Sequence, residues 1–394
     1  MKRIFILIAM LSILLTSGYG QNKAFHDFKA EVEIEDRVFL KPGLYEGQHQ
    51  NYISIAFQPE YSVEWKEGKY SFKTTLFGRI DQHDNHRTHF DIRELYWQGV
   101  FNQHEISVGL KEIYWGVTES AHIVNIINQT DVVESFDGEA KMGQPMVHYS
   151  LANKLGIFDV FFMPYFRTIT FPGEEGRLRT PIVLEGDDFP FESNSGKYHP
   201  DVAFRWSNYI GAFDVGLSYF YGNSRQPMIE DIQAFDPLYP LIHQVGLDLQ
   251  ATTGMMLWKY EGIYNNNSIK NFYAMAAGFE YTFGNVGGKG LDIGILGEYL
   301  YDGRDELAIG SLQHDIFTGM RLGFNDISDS EILAVAIFDL HYPTKIYSIE
   351  GSRRFKETFT IELEGRFFTK SAPEEFLYFI RDDSFLRFAV SKYF

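Results

Sequence analysis

The chain has 394 residues with 36 Phe, 24 Tyr and 5 Trp, no Cys, and a formal charge of −18. That charge would repel a phosphate backbone, which excludes nucleic acid as a partner, and the lack of thiols excludes disulfides and thiolate metal sites. High aromatic content without amphipathic helices, on a mildly polar average, points to a transmembrane barrel whose strands face lipid on one side and water on the other.

In chain order, the start "MKRIFILIAMLSILLTSGYGQ" has a positive n-region at Lys2 and Arg3 and an apolar core, Ile4 to Leu15. The core is too short to span a bilayer, and Ser17, Gly18 and Gly20 supply the small residues of a cleavage site. Residues 1–20 are therefore expected to be a signal peptide, removed on the way to a Gram-negative outer membrane. Residues 21–394 are read as one all-β domain. It is a single antiparallel transmembrane barrel of about 18 strands, or about 16 if two irregular connections are miscounted. Short periplasmic turns would alternate with long extracellular loops. Alternation begins by about Phe28, which leaves no room for a globular plug and argues against a TonB-dependent receptor.

The first strands place Glu31, Glu33, Glu35, Glu60 and Glu64 on lumen parity, interrupted by Arg37. Residues 70–81 put Tyr70, Phe72, Thr74, Leu76 and Ile80 against Lys73, Thr75, Arg79 and Asp81. A charge costs several kcal/mol on the lipid face and little in a wet lumen, so parity assigns the faces. The loop "DQHDNHRTHF" then gathers Asp81, His83, Asp84, His86 and His89. Nothing in the sequence fixes their geometry, so neither a metal site nor a cofactor is expected.

Residues 93–135 form the most distinctive stretch. A hairpin carries Arg93, Glu94, Tyr96 and Trp97 on one arm and Gly109, Lys111 and Trp115 on the other. The chain then leaves the strand at Trp115-Gly116 and loses alternation. Arg93-Glu94, Tyr96, Gly109, Trp115-Gly116, Glu119, Asn128 and Asp131 together resemble a family of Gram-negative porin-like barrels found beside RND-type exporters. The resemblance to alginate-export and porin barrels is looser. The family prefers proline where Gln129 stands. The resemblance implies an outer-membrane conduit working near an inner-membrane exporter.

The segment 116–143 is too long for an ordinary hairpin connection. It carries Ile123, Val124, Ile126, Ile127, Val132 and Val133, which must pack on something. It is read as a constriction loop folded into the lumen, with Ile123, Ile126 and Ile127 on the wall. Glu119, His122, Asn125, Asn128 and Asp131 would border the opening. Further along, Arg205 joins Lys73, Arg79 and Arg93 on one basic side of the lumen. Residues 290–301 oppose Leu291, Ile293, Ile295, Tyr299 and Tyr301 to Asp292 and Glu298. Residues 357–368 oppose Phe359, Ile361, Leu363 and Phe367 to Glu362, Glu364 and Arg366.

With Arg387 on the last strand, these acids share an arc with the first strand, facing the basic side across the pore and orienting dipolar solutes. Arg387 is expected to affect ion selectivity more than stability. The end "SFLRFAVSKYF" alternates as a closing strand, and Phe394 reads as a membrane-insertion signal.

An enzyme is not expected. His148 beside Tyr149-Ser150, and His314-Asp315, are the local hints of chemistry, but adjacent strand residues point to opposite faces. The function read from the sequence is a porin-like channel for small polar solutes or an exported substrate. The alternative is a surface-tethering or sugar-binding barrel for an exported polysaccharide, its pore blocked. Expected partners are outer-membrane lipids, the barrel-assembly machinery, the solute or exported substrate, and the exporter.

Overall fold

Period-two alternation becomes strand pairing around a complete circle. A computed structural model describes residues 24–229, 236–308 and 313–394; the segment 1–20, read as a signal peptide, lies outside the described residues. The first strands are β1 (Phe25–Phe39), β2 (Asn51–Trp65), β3 (Tyr70–Asp81), β4 (His89–Phe101) and β5 (His104–Lys111). They are followed by β6 (Gln144–Asn153), β7 (Gly156–Met163), β8 (Asp201–Ile210) and β9 (Phe213–Asn223). A short ladder of β10 (Met228–Ile229) with β11 (Pro237–Leu238) sits in the next connection. The wall continues with β12 (Leu241–Thr253), β13 (Met256–Asn267), β14 (Phe272–Val286), β15 (Leu291–Asp302) and β16 (His314–Gly323). It ends with β17 (Glu331–Asp339), β18 (Lys345–Phe355), β19 (Phe359–Thr369) and β20 (Phe385–Tyr393).

Each wall strand pairs antiparallel with its sequence neighbours, β9 pairs with β12, and β1 closes on β20, giving an 18-stranded barrel. Closure leaves no edge and satisfies the backbone within the wall, which hydrocarbon demands. The two connections that strained the count are real turns with local causes. In 324–330 the Asp326 carboxylate accepts the Ser330 amide and hydroxyl at 2.9 and 3.0 Å. In 340–344 the Asp339 Oδ1 accepts the His341 and Tyr342 amides, both at 2.6 Å. A third tight connection, 268–271, is closed by Asn267 Oδ1 on the Ile269 and Lys270 amides.

The outer face is apolar: Ile80, Phe90, Phe162, Phe204, Leu363 and Phe388 all stand exposed, as lipid-facing residues should. Trp65, Tyr70 and Trp97 stack side by side near the short-turn end, where amphipathic rings suit a headgroup layer.

One inner face departs from simple parity. Glu94 pairs with Thr75 and Ile92 with Leu76, so Arg93 is an extra residue in β4. This bulge turns Arg93 and Glu94 to the same side, toward the lumen, where simple alternation would separate them. The lumen is also less polar than expected. Leu296, Leu300 and Phe317 are buried on the inner wall and pack with Leu333, Val335 and Ile337 of β17.

Candidate functional site

The residues after β5 turn inward because Asn128 makes a loop of them. Asn128 Oδ1 accepts the Ile113 amide at 2.8 Å, while its Nδ2 donates to the Lys111 and Met142 carbonyls at 2.9 and 2.8 Å. Both ends of the segment are thereby tied together. Trp115 follows, edge-on to Phe161 of β7 with the Arg205 guanidinium over its ring. Val124, Ile126 and Ile127 bury themselves with Met163, Phe220, Ile242 and Ile263, and Ile123 packs alongside. At roughly 1.5–3 kcal/mol per buried aliphatic side chain before entropy costs, this seam is a strong anchor.

The polar anchors reach the opposite wall. Glu261 of β13, 0% exposed, accepts the Val117 amide at 2.7 Å, the Thr118 amide at 3.0 Å and the Val124 amide at 3.2 Å. Glu298 of β15 accepts the Glu119 and Ser120 amides at 2.8 and 2.9 Å. The Glu119 carboxylate pairs with Arg321 of β16 at 2.7 Å and with Lys259 of β13 at 3.5 Å. The returning half pairs Asp131 with Arg93 at 2.6 Å, Glu134 with Arg79 at 2.9 Å and Asp137 with Arg366 at 2.9 Å. Side chains of β3, β4, β13, β15, β16 and β19 thus hold one segment, which spans the interior from wall to wall.

A cavity of about 860 Å³ remains beside this segment. Its walls include Gln250, Lys259 and Leu333 near the short-turn end and Gln226, Asp302 and Arg304 near the other. It therefore follows β12 to β18 along most of their length. Glu119, His122 and Asn125 border it. Asn128 also borders it, with its amide committed to the loop ties, whereas Asp131, 1% exposed, is committed to Arg93 and Thr170 and lies off the cavity. They hold the segment's shape.

His122 lies between Tyr114, Glu139 and Glu261, with Nε2 3.3 Å from Glu139 and Nδ1 3.8 Å from Glu261. Burial alone would lower its pKa, but the two carboxylates outweigh it and push the imidazole up to about 9. Burial raises the Glu112 pKa, helped by Glu94 and opposed by Arg93, Lys141 and Lys73.

The lumen charges do not form facing walls. Glu33 touches both Arg79 and Arg387 at 2.9 Å, and Glu60 and Glu94 share Lys73 at 3.2 and 2.7 Å. Arg205 is bidentate to Asp248, and Glu364 meets Arg366 at 3.2 Å. Glu362 pairs with Arg387 at 3.1 Å. Glu31 lies opposite Tyr393 in the closing pair, and Glu64 is exposed at the end of β2. Acid and base alternate in contact, so each sign neutralises its neighbour. The anchoring roles of Glu261, Glu298 and Arg321 left no signal in the sequence, where Glu298 stood only on the polar face of 290–301 and the other two went unremarked.

The histidines at 83, 86 and 89 diverge. His83 stacks on His49, His86 reaches Glu185, and His89 approaches Asp131 and Glu134. His148 meets Ser107 at 3.4 Å and Asp159 at 2.9 Å, an order of groups reminiscent of nucleophilic catalysis. Ser107, however, is 1% exposed, takes a bond from Lys111, and does not border the cavity. His314 turns its ring outward to Tyr299, away from Asp315.

No family model and no curated protein matches the chain. Solved structures do. Pseudomonas aeruginosa OccD3 (OpdP) aligns with a TM-score of 0.56 at 9% identity, over 94% of this chain and 91% of that one. Wzi of Escherichia coli, described as a carbohydrate-binding β-barrel involved in group 1 capsule assembly, aligns with a TM-score of 0.55 at 10% identity. That match covers 93% of this chain and 84% of Wzi. The chain has the fold of an outer-membrane β-barrel. At these identities the likeness concerns the fold, and the site must be argued from its own residues.

Proposed function

We propose that this barrel is a porin-like channel of a Gram-negative outer membrane, passing small polar solutes past a constriction built by residues 112–143. The observation that carries this is the cavity beside the segment, which runs along most of the height of β12 to β18. A barrel of this strand number is wide enough for an aqueous path even with a loop inside. The path has a polar edge at Glu119, His122 and Lys259 and an apolar strip at Leu333, Val335 and Ile337, which suits solutes with one face of each kind. In this reading the protein is not an enzyme. It is delivered after cleavage behind Gly20, and the barrel-assembly machinery inserts it among the outer-membrane lipids by its closing strand. An inner-membrane exporter feeding a substrate from the periplasmic side is the version in which transport runs outward.

A second reading is favoured by one observation, the ion pairs that bind the segment to both walls. Such a segment also suits a blocked barrel that holds a sugar polymer at the surface, and Wzi is a barrel that binds carbohydrate. Liposome swelling separates the two. A channel should admit neutral sugars at rates that fall with solute size. Folded protein that leaves liposomes impermeable to every sugar tried would make the tether the better account.

A further inference from the structure

We propose that His49, His83 and Glu175 form a divalent transition-metal site at the extracellular rim, joining three loops. One donor atom from each lies within 4.8 Å of the other two. The two imidazoles stack with centroids 3.6 Å apart and planes 13° from parallel, and His49 Nε2 lies 3.5 Å from a Glu175 oxygen. The three residues come from connections 40–50, 82–88 and 164–200, so only the fold assembles them.

The backbones behind these side chains are fixed. Tyr52, 4% exposed at the top of β2, accepts the His49 amide at 3.0 Å and donates its hydroxyl hydrogen to the Glu175 carbonyl. Arg177, paired with Asp383 at 2.7 Å, donates to the His49 carbonyl at 2.9 Å. The His83 amide donates to Asp81 Oδ1 at 3.0 Å. Rigid backbones carrying solvent-facing donors are what a preorganised site needs.

Metal–nitrogen bonds of about 2.0–2.1 Å would require the donors to draw together and the two rings to turn out of their parallel stack so that both in-plane lone pairs meet at one point, a side-chain rotation open to groups at a wet rim. Two imidazoles and one carboxylate suit zinc, nickel or copper better than magnesium or calcium. Water would complete the shell. Bound metal would fasten the 164–200 connection to the rim. That connection also touches the constriction, because Thr170 donates to Asp131 at 2.6 Å.

The test uses the full folded chain in detergent, stripped with EDTA and titrated with Zn²⁺ against a chromophoric chelator. One site per chain is expected. Loss of a ligand should cost at least what loss of a group behind a ligand costs, roughly tenfold in affinity, so H49A and H83Q should each weaken binding by that much. H86A, in the same loop but outside the cluster, should not. H83Q keeps the backbone bond to Asp81, and heat-modifiable mobility verifies its barrel. Absence of a stoichiometric site in the wild type, or equal binding by H83Q, overturns the proposal and leaves an ordinary ion pair between stacked rings.

Discussion

Arg387 donates to Glu35 at 2.6 Å, Glu33 at 2.9 Å and Glu362 at 3.1 Å, and it does not border the cavity. Removing one partner of a buried ion pair costs about 3–5 kcal/mol, because the other charge stays buried; the partial exposure of Glu362 places this case toward the low end. Arg387→Leu should therefore lower the urea midpoint of the heat-modifiable form clearly and leave the reversal potential in a salt gradient nearly unchanged. The opposite pattern would put Arg387 on the conducting path, as sequence parity alone suggested. His122 supplies a second expectation at this scale. Its pKa is raised by folding, so the tie it makes to Glu139 and Glu261 is full below its ordinary value and is lost as pH rises through about 9. Proteolysis within 112–143 should accelerate across that range in the wild type. A His122→Gln variant should show no such step.

Among the elements, the hairpin β4–β5 and the segment after it show where sequence reasoning stops. Trp115-Gly116 marks the exit from the strand, and the isoleucines show that the segment must pack. The bulge at Arg93 leaves no such trace, since one extra residue reverses every later assignment of faces. Nor do Glu261 and Glu298, whose partners lie 137 to 179 residues away in sequence. β17 carries apolar residues on both faces, so its parity says little about the lumen. Gly116 has a backbone φ of +143°, and a Cβ there would lie 2.9 Å from His122 Nδ1 and 3.0 Å from Glu261 Oε1. Gly116→Val should cost roughly 1–3 kcal/mol in local strain, raising protease sensitivity of the segment while the yield of folded barrel holds. An unchanged digestion pattern would show that the segment tolerates a side chain there. At the last strand, the Phe394 amide donates to the Ala30 carbonyl at 3.0 Å, extending the seam between β20 and β1. Deleting Phe394 should reduce assembled barrel in the membrane without reducing secretion. Normal levels of the folded form would remove its role as an insertion signal.

For the molecule as a whole, the barrel was legible because lipid on one side and water on the other impose a two-residue period that survives in sequence. The irregular connections 324–330 and 340–344 left the strand number between about 16 and 18, and pairing around the closed circle gives 18. The interior was less legible, because the segment's placement depends on charges scattered over six strands that only closure brings together. The central claim is that the cavity beside this segment is a conducting path. Single-channel recording of the purified barrel in planar bilayers tests it most directly, with Ala121→Trp as the companion, since Ala121 borders the cavity. The account predicts discrete openings in the wild type and a clearly smaller unitary conductance in the variant. Folded wild-type protein that inserts and stays silent, or a variant with undiminished conductance, would contradict it.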